Sequence, residues 1–310
     1  MNYDIKTISL IGMGAMGSFF APRFYAEYGE RFRLIAGGSR KKKLETRGVT
    51  INGNTYHFPV IDPEEKGNAS DLIIIATKGY DLDQAIEDIR NQVHPGTLIL
   101  SVMNGVDSEE KMIAAFGAER VLYSFMRVSI VMKDGVANYD PALGMVHFGE
   151  KRNSRGDYSP RVEAVRKVME TCGIPYEIDA DMLHGIWYKF TCNVAENLTC
   201  ALLGIPFGAY RDNDDANAIR DAAMKEVQAV AAARRIAVTD EDLAKQDRII
   251  KTLPPANKPS TLQDLEAGKR TEIDMFAGAV IRMGRETGVP TPMCRMYYHS
   301  IRALEYENER

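Results

Sequence analysis

The stretch IGMGAMGS, residues 11–18, decides the fold. Gly12, Gly14 and Gly17 spell G-x-G-x-x-G. An apolar run over 5–11 precedes them and reads as a strand; residues 16–28 follow and read as a helix. In that setting each glycine has its own task. Gly12 permits the tight turn, Gly14 lets a pyrophosphate approach the backbone, and Gly17 lets the helix pack close to the sheet. The helix opens near Ala15 and Met16, where unbonded N–H groups and the positive dipole end favour phosphate. The glycine pattern alone is weak, and a ligand-free turn is the competing reading. The strand before it and the helix after it make it a dinucleotide-binding signature.

Outward from this loop, strand and helix patterns alternate. Residues 32–36 form a second strand. LIIIAT (72–77) and TLILSV (97–102) are continuous apolar runs of the kind that buried parallel strands show, and 121–125 is another strand. An amphipathic helix is expected over 81–93. This alternation predicts a doubly wound parallel sheet. Residues 129–150 instead alternate in polarity and carry turn signals at 133–135 and 141–144, which predicts antiparallel strands closing the first domain. A helix over 159–172 and a last strand over 175–178 follow a loop at 153–158. Beyond Asp181 strand signals stop. Helices are expected over 182–203, 214–235, 240–252, 262–286 and 294–307, with a proline-marked break at 254–259. The expected architecture is α/β: a Rossmann doubly wound sheet over 1–178 and an all-α domain over 179–310.

A chain of 310 residues accommodates two domains at ~100–200 residues each. A formal net charge of −4 supplies no general field for nucleic acid. The N-terminus has no basic segment followed by a long apolar one, so no signal peptide is expected. No apolar run approaches the ~20 residues that cross a bilayer. Cys172, Cys192, Cys200 and Cys294 form no C-x-x-C pair and no zinc spacing with histidine. Cys192 and Cys200, in a largely apolar helical stretch, read as buried free thiols; the set fits a reducing, cytoplasmic compartment, and no metal is expected.

The end of the second strand selects the cofactor. NAD-binding folds place an Asp or Glu there for the ribose 2′-hydroxyl. This chain has Gly37, Gly38, Ser39, Arg40, Lys41, Lys42 and Lys43, with no carboxylate and four consecutive cations. Ser39 can hydrogen-bond a 2′-phosphate and Arg40 can pair with it, so NADP(H) is predicted. At least two of the three lysines read as a solvated helical turn. Lys78 follows the LIIIAT strand directly, and Asn104 and Gly105 follow TLILSV. Ligands gather at the carboxyl ends of such strands, so Lys78 and Asn104 are candidate contacts to cofactor or substrate, against the plain reading of polar loop residues.

In the helical half, Lys189, Asn193 and Asn197 are spaced i, i+4, i+8 and share one face. Their neighbours Trp187, Phe190, Val194 and Leu198 are apolar. Unpartnered burial of such groups costs ~1–3 kcal/mol each, so a polar ligand explains the stripe better than a packed core, and the apolar neighbours weaken a solvated face. Ser260 and RTEID (270–274) form a second polar set; by itself Glu272 reads as a surface glutamate.

Taken together, IGMGAMGS, TKGYD (77–81), MNG (103–105), WYKFTCNVAEN (187–197) and KPSTLQDLEAGKRTEID (258–274) resemble the ketopantoate reductase (2-dehydropantoate 2-reductase) family over nearly the whole chain. The last two stretches are the discriminating ones. The resemblance implies a Rossmann domain and a helical domain with the active site in the cleft between them. It implies NADPH-dependent reduction of ketopantoate to pantoate, a step toward pantothenate and coenzyme A. It implies Lys189 as general acid. Asn193, Asn197, Ser260 and Asn104 would bind substrate. Glu272 would serve the substrate and nicotinamide-ribose end, and Lys78 and Asn104 would contact cofactor. A lysine is ordinarily protonated at neutral pH and can both stabilise and protonate the developing alkoxide. Gly37 stands where the family often has arginine, with Arg40 three residues on, and Met103 stands where glutamine is common. Three other readings compete: a reductase of another 2-oxo acid on this fold, a β-hydroxyacid dehydrogenase, and a non-catalytic NADPH sensor. The β-hydroxyacid dehydrogenases lack the TEID segment, and a sensor need not keep Lys189, Asn193, Asn197 and Glu272. A small-molecule 2-oxo acid is the expected partner, with neither nucleic acid nor membrane; a homodimer is compatible with an exposed helical domain.

Overall fold

The computed structural model describes residues 3–128, 130–133, 135–141 and 144–308. In chain order the strands are β1 Ile8–Ile11, β2 Phe32–Ile35, β3 Val49–Ile51, β4 Asn54–Tyr56, β5 Val60–Ile61, β6 Leu72–Ile75, β7 Leu98–Ser101, β8 Val121–Arg127, β9 Val131–Lys133, β10 Val136–Asn138, β11 Met145–Gly149 and β12 Tyr176–Glu177. The helices are α1 Ala15–Tyr28, α2 Gly38–Arg47, α3 Leu82–Asp88, α4 Ser108–Phe116, α5 Pro160–Thr171, α6 Met182–Cys192, α7 Leu198–Leu203, α8 Asp214–Ala233, α9 Asp240–Ile250, α10 Ser260–Glu266, α11 Ala279–Thr287 and α12 Pro292–Asn308. They fall into two compact units, Met1–Met182 and Leu183–Arg310.

In the first unit an eight-stranded sheet runs β5-β2-β1-β6-β7-β8-β11-β12. The six strands from β5 to β8 are mutually parallel, and β11 is antiparallel to β8. All residues of β1, β6 and β7 are buried, because helices cover a parallel sheet on both faces. Phe19, Phe20 and Phe24 of α1 fill one side of that core. The chain leaves β1 toward β2 in one direction and returns to β6 on the other flank of β1. This reversal opens a crevice beyond the carboxyl ends of β1 and β6, where doubly wound sheets bind ligands.

A second sheet runs β4-β3-β10-β9, and its strands β3 and β4 lie outside the strand pattern read from sequence. Its β3–β4 hairpin turns at Asn52 and Gly53, with φ of 48° and 80°, the positive values that a two-residue hairpin loop requires. The antiparallel strands expected over 129–150 divide between the two sheets: β9 and β10 join the second, and β11 joins the first. The expected turns at 133–135 and 141–144 include residues 134, 142 and 143, which lie outside the described residues, as does Ser129.

The helix expected over 81–93 is regular only in α3. Asn91 Nδ2 donates to Pro63 O at 2.8 Å and Gln92 Nε2 to Glu65 O at 2.9 Å, and these tertiary bonds draw the last turn into a tighter coil.

The second unit contains only helices among its described residues. Arg220, 2% exposed, anchors it: its guanidinium lies over the Tyr210 ring and pairs with Asp221 and Asp247. Two expected helices prove irregular. The helix over 182–203 contains a π-helical turn at Asn193–Asn197. The continuous helix expected over 262–286 does not form. It stops after α10, where Gly268 takes φ +62°, and resumes through a second π turn, Asp274–Gly278. Between them Thr271 donates both its N–H and its hydroxyl to the buried Glu305 carboxylate, each at 2.7 Å. Bonds to α12 thus replace helical ones.

Candidate active site

The glycine loop spans β1 and α1. Gly12 has φ +97°, and a Cβ built there would lie 2.5 Å from Thr77 N and overlap the Ala76 backbone. Side chain is therefore excluded twice, by conformation and by the chain leaving β6. A Cβ at Gly17 would overlap the Gly12 carbonyl oxygen. Gly14 differs: its φ is −101°, and a Cβ would meet nothing within 4 Å. Ala15 and Met16 open α1, whose first turn has no acidic residue and no side-chain cap. The loop thus fits a pyrophosphate: the side of Gly14 where a Cβ would stand is open, and no acidic residue in the first turn of α1 competes.

After β2 the backbone turns through Gly37 and Gly38 into α2. Ser39 and Arg40 occupy the first turn, exposed, and neither has an ion pair or side-chain hydrogen bond among the described residues. Lys41 lies 3.7 Å from Asp62 and 3.5 Å from Glu65. Its charge is largely met by carboxylates from the segment after β5. Lys42 and Lys43 are exposed. Of the four consecutive cations, Lys41 is thus engaged by carboxylates, while Arg40, Lys42 and Lys43 are exposed.

Lys78 directly follows the β6 exit and is half-buried. Thr77 Oγ1 contacts Met103 Sδ at 3.5 Å, tying the β6 exit to the β7 exit. Asn104 follows Met103, half-buried, before Gly105 at φ +96°. Beneath this loop lies a carboxyl that sequence reading missed. Glu109, 3% exposed, accepts from Ser108 Oγ at 2.9 Å and Ser124 N at 3.4 Å. Burial pushes its pKa up to about 7.

In the second unit, every residue from 185 to 201 is buried except Lys189, Asn193 and Asn197, which are half-buried. Asn197 Nδ2 lies 3.4 Å from Asn193 Oδ1. The π turn helps align them. A four-residue step overshoots a full α-helical turn by about 40°. In a π turn of about 4.4 residues the same step falls short by about 30°, so the two drifts offset. The turn is held by residues the sequence did not point to. Gln246 Nε2 donates to both oxygens of buried Glu196, at 2.9 and 3.0 Å. Tyr188 OH donates to Gln246 Oε1 at 2.9 Å, and Tyr210 OH to Glu196 O at 2.8 Å.

Both α10 and the second π turn pack against the Asn193–Asn197 turn. Ser260 opens α10 and is exposed. Glu272 lies two residues before the second π turn and is 6% exposed, so it is no surface glutamate. Its burial follows from the Thr271–Glu305 anchor beside it. The fold therefore gathers Lys189, Asn193, Asn197, Ser260 and Glu272 onto adjoining elements of one unit. The glycine loop, Ser39, Arg40, Lys78 and Asn104 belong to the other unit, all at carboxyl ends of β1, β2, β6 and β7.

The four cysteines are free and buried, and burial lifts the Cys172 and Cys200 thiols to about 12. The fold also brings His147, Glu177 and Asp179 together at the sheet edge. There His147 Nδ1 bonds Asp179 Oδ1 at 2.9 Å, and the ring stacks on Phe125. No helix among the described residues is long and apolar enough to cross a membrane.

Two family models match. Residues 8–153 match "Ketopantoate reductase PanE/ApbA", and 181–305 match "Ketopantoate reductase PanE/ApbA C terminal". The chain belongs to the ketopantoate reductase family. As a member it is an oxidoreductase. A 2-dehydropantoate 2-reductase of Pyrococcus horikoshii is 29% identical over 303 residues, covering 96% of this chain and 97% of that protein. Among solved structures, a ternary complex of D-mandelate dehydrogenase with NADH and anilino(oxo)acetate is similar at a TM-score of 0.85 and 23% identity, covering 98% of this chain and 100% of that one. A PanE/ApbA family ketopantoate reductase from Ralstonia eutropha JMP134 is similar at 0.82 and 23%, with 98% and 100% coverage. These likenesses establish for this family member a Rossmann domain followed by a helical one.

Proposed function

We propose that this family member reduces ketopantoate to pantoate with NADPH, in the cytoplasm. The observation that carries the reading is the stripe of Lys189, Asn193 and Asn197, three polar side chains left half-open on an otherwise buried helix. When bound, the nicotinamide supplies the hydride to the 2-oxo carbon. Lys189 then donates a hydrogen bond to the carbonyl oxygen as negative charge grows on it, and delivers the proton that completes the alcohol. Asn193 and Asn197 each offer donor and acceptor to the substrate hydroxyl and carboxylate, with Ser260 and Asn104. Glu272 orients the substrate and the ribose beside it. Gly12, Gly14 and Gly17, with the amides of Ala15 and Met16, hold the pyrophosphate, while Lys78 adds a cation from the β6 exit. Ser39 and Arg40 prefer the 2′-phosphate of NADP over a bare hydroxyl.

The test mixes the purified protein with ketopantoate and follows absorbance loss of NADPH, then NADH. Rapid NADPH oxidation, strongly preferred over NADH, is expected. NADPH binding without turnover of ketopantoate would discard the substrate. It would favour reduction of another 2-oxo acid, a reading supported by Met103 beside Asn104 and by the likeness to a D-mandelate dehydrogenase.

A further inference from the structure

In the helical unit a cavity of about 340 Å³ lies between α11 and α12, and none of the residues assigned above lines it. Arg282 and Arg285, three apart on α11, and Arg295 and His299, four apart on α12, all face it. Arg282 is partly met by Glu286 at 3.4 Å. The guanidinium groups of Arg285 and Arg295 have no ion pair among the described residues and are exposed. The one acid in the lining, Asp274, is already engaged: Oδ1 accepts from Tyr298 OH at 2.9 Å and Oδ2 from Arg270 at 3.2 Å. That bond also fixes the Tyr298 ring as a wall. Gly278 faces it, and a Cβ there would lie 3.4 Å from the ring. Ile281 adds an apolar surface.

Cations converging from two helices repel one another, and in a chain of net charge −4 they stand out from the general balance. An anion in the cavity relieves that repulsion. Planar guanidinium forks match the oxygens of a phosphoryl group in paired hydrogen bonds. The volume suits a small metabolite, and the Tyr298–Ile281 walls suit an apolar or planar portion of it. We propose that this cavity binds a small phosphate-bearing molecule, its phosphoryl group held by Arg285 and Arg295.

The test is calorimetric titration of the NADPH-saturated full-length protein with inorganic pyrophosphate, so that the glycine loop is already filled. The wild-type chain should bind one equivalent. The double variant Arg285→Gln/Arg295→Gln should bind it roughly a hundredfold more weakly or worse, since each charge-assisted hydrogen bond contributes about tenfold or more. Both side chains are exposed, so the variant should keep the wild-type melting midpoint. Arg40→Ser should bind pyrophosphate as the wild type does. Equal affinity in the double variant, or no binding by the wild type at millimolar pyrophosphate, would overturn the assignment. None of these readouts depends on turnover, so a wrong substrate leaves the test intact.

Discussion

Gly14→Ala and Gly12→Ala should separate cofactor binding from folding. Gly14 sits at φ −101° and ψ −155°, extended backbone that any residue adopts, and a methyl group there meets nothing within 4 Å. Its stability should stay within about 0.5 kcal/mol of wild type. The methyl group does occupy the face where phosphate oxygens must come within about 2.7–2.9 Å of backbone N–H groups. Losing one charge-assisted bond of about 1.5–3 kcal/mol weakens NADPH binding roughly tenfold to 150-fold. Gly12→Ala should fail differently. Its φ of +97° costs an L-residue about 1–2 kcal/mol. The added Cβ also runs into the Ala76–Thr77 backbone, which cannot rotate aside as a side-chain tip could. A loss of about 2 kcal/mol or more lowers the melting midpoint by roughly 4–8 °C. Thermal denaturation without ligand, and NADPH fluorescence titration, give the two readouts. A Gly14→Ala protein that binds NADPH like wild type, or melts as early as Gly12→Ala, would refute the argument.

Three further outcomes are expected. Lys189→Ala should lower kcat by about 10²–10⁴-fold while leaving the NADPH Kd unchanged; unaltered turnover would remove Lys189 from proton transfer. Arg40→Ser should raise KM for NADPH roughly tenfold or more and leave NADH nearly unaffected, so steady-state kinetics showing equal effects on both would exclude Arg40 from the 2′-phosphate. Glu109, lifted by burial from an ordinary 4.5 to about 7, takes up a proton on folding between those values. Stability should therefore fall as pH rises from about 4.5 to 7, by roughly 3 kcal/mol, and level off above. Glu109→Gln should flatten that slope and be the more stable protein at pH 8; melting curves with the same pH slope in both proteins would contradict it.

How much of this was legible in the sequence depends on the range of the forces involved. β1, β6 and β7 could be read directly, because a strand buried on both faces needs an unbroken apolar run. The glycine loop could be read because its demands are local. The β3–β4 hairpin was equally local, and Asn52–Gly53 signalled it, but three-residue strands are too short to show a period. The Lys189–Asn193–Asn197 stripe was visible as spacing. The π turn that aligns it was not, since it depends on Gln246 and Tyr210 meeting Glu196 from other helices. The sequence set the three lysines apart from Arg40 but could not show that Lys41 is engaged, because its partners Asp62 and Glu65 come from the chain after β5. Glu272 looked like a surface residue because its burial rests on Thr271 bonding Glu305, 34 positions away.

The π turn at Asn193–Asn197 also changes what a deletion would mean. A π turn holds one residue more than the α-helix on either side needs. Removing Ala195 would let the backbone close into plain α geometry while α6 and α7 keep their docked faces. The helix would survive the loss of a codon, and the spacing between Asn193 and its downstream amide would shrink from four residues to three. In this stretch, residue count sets which groups face outward, and residue identity alone does not.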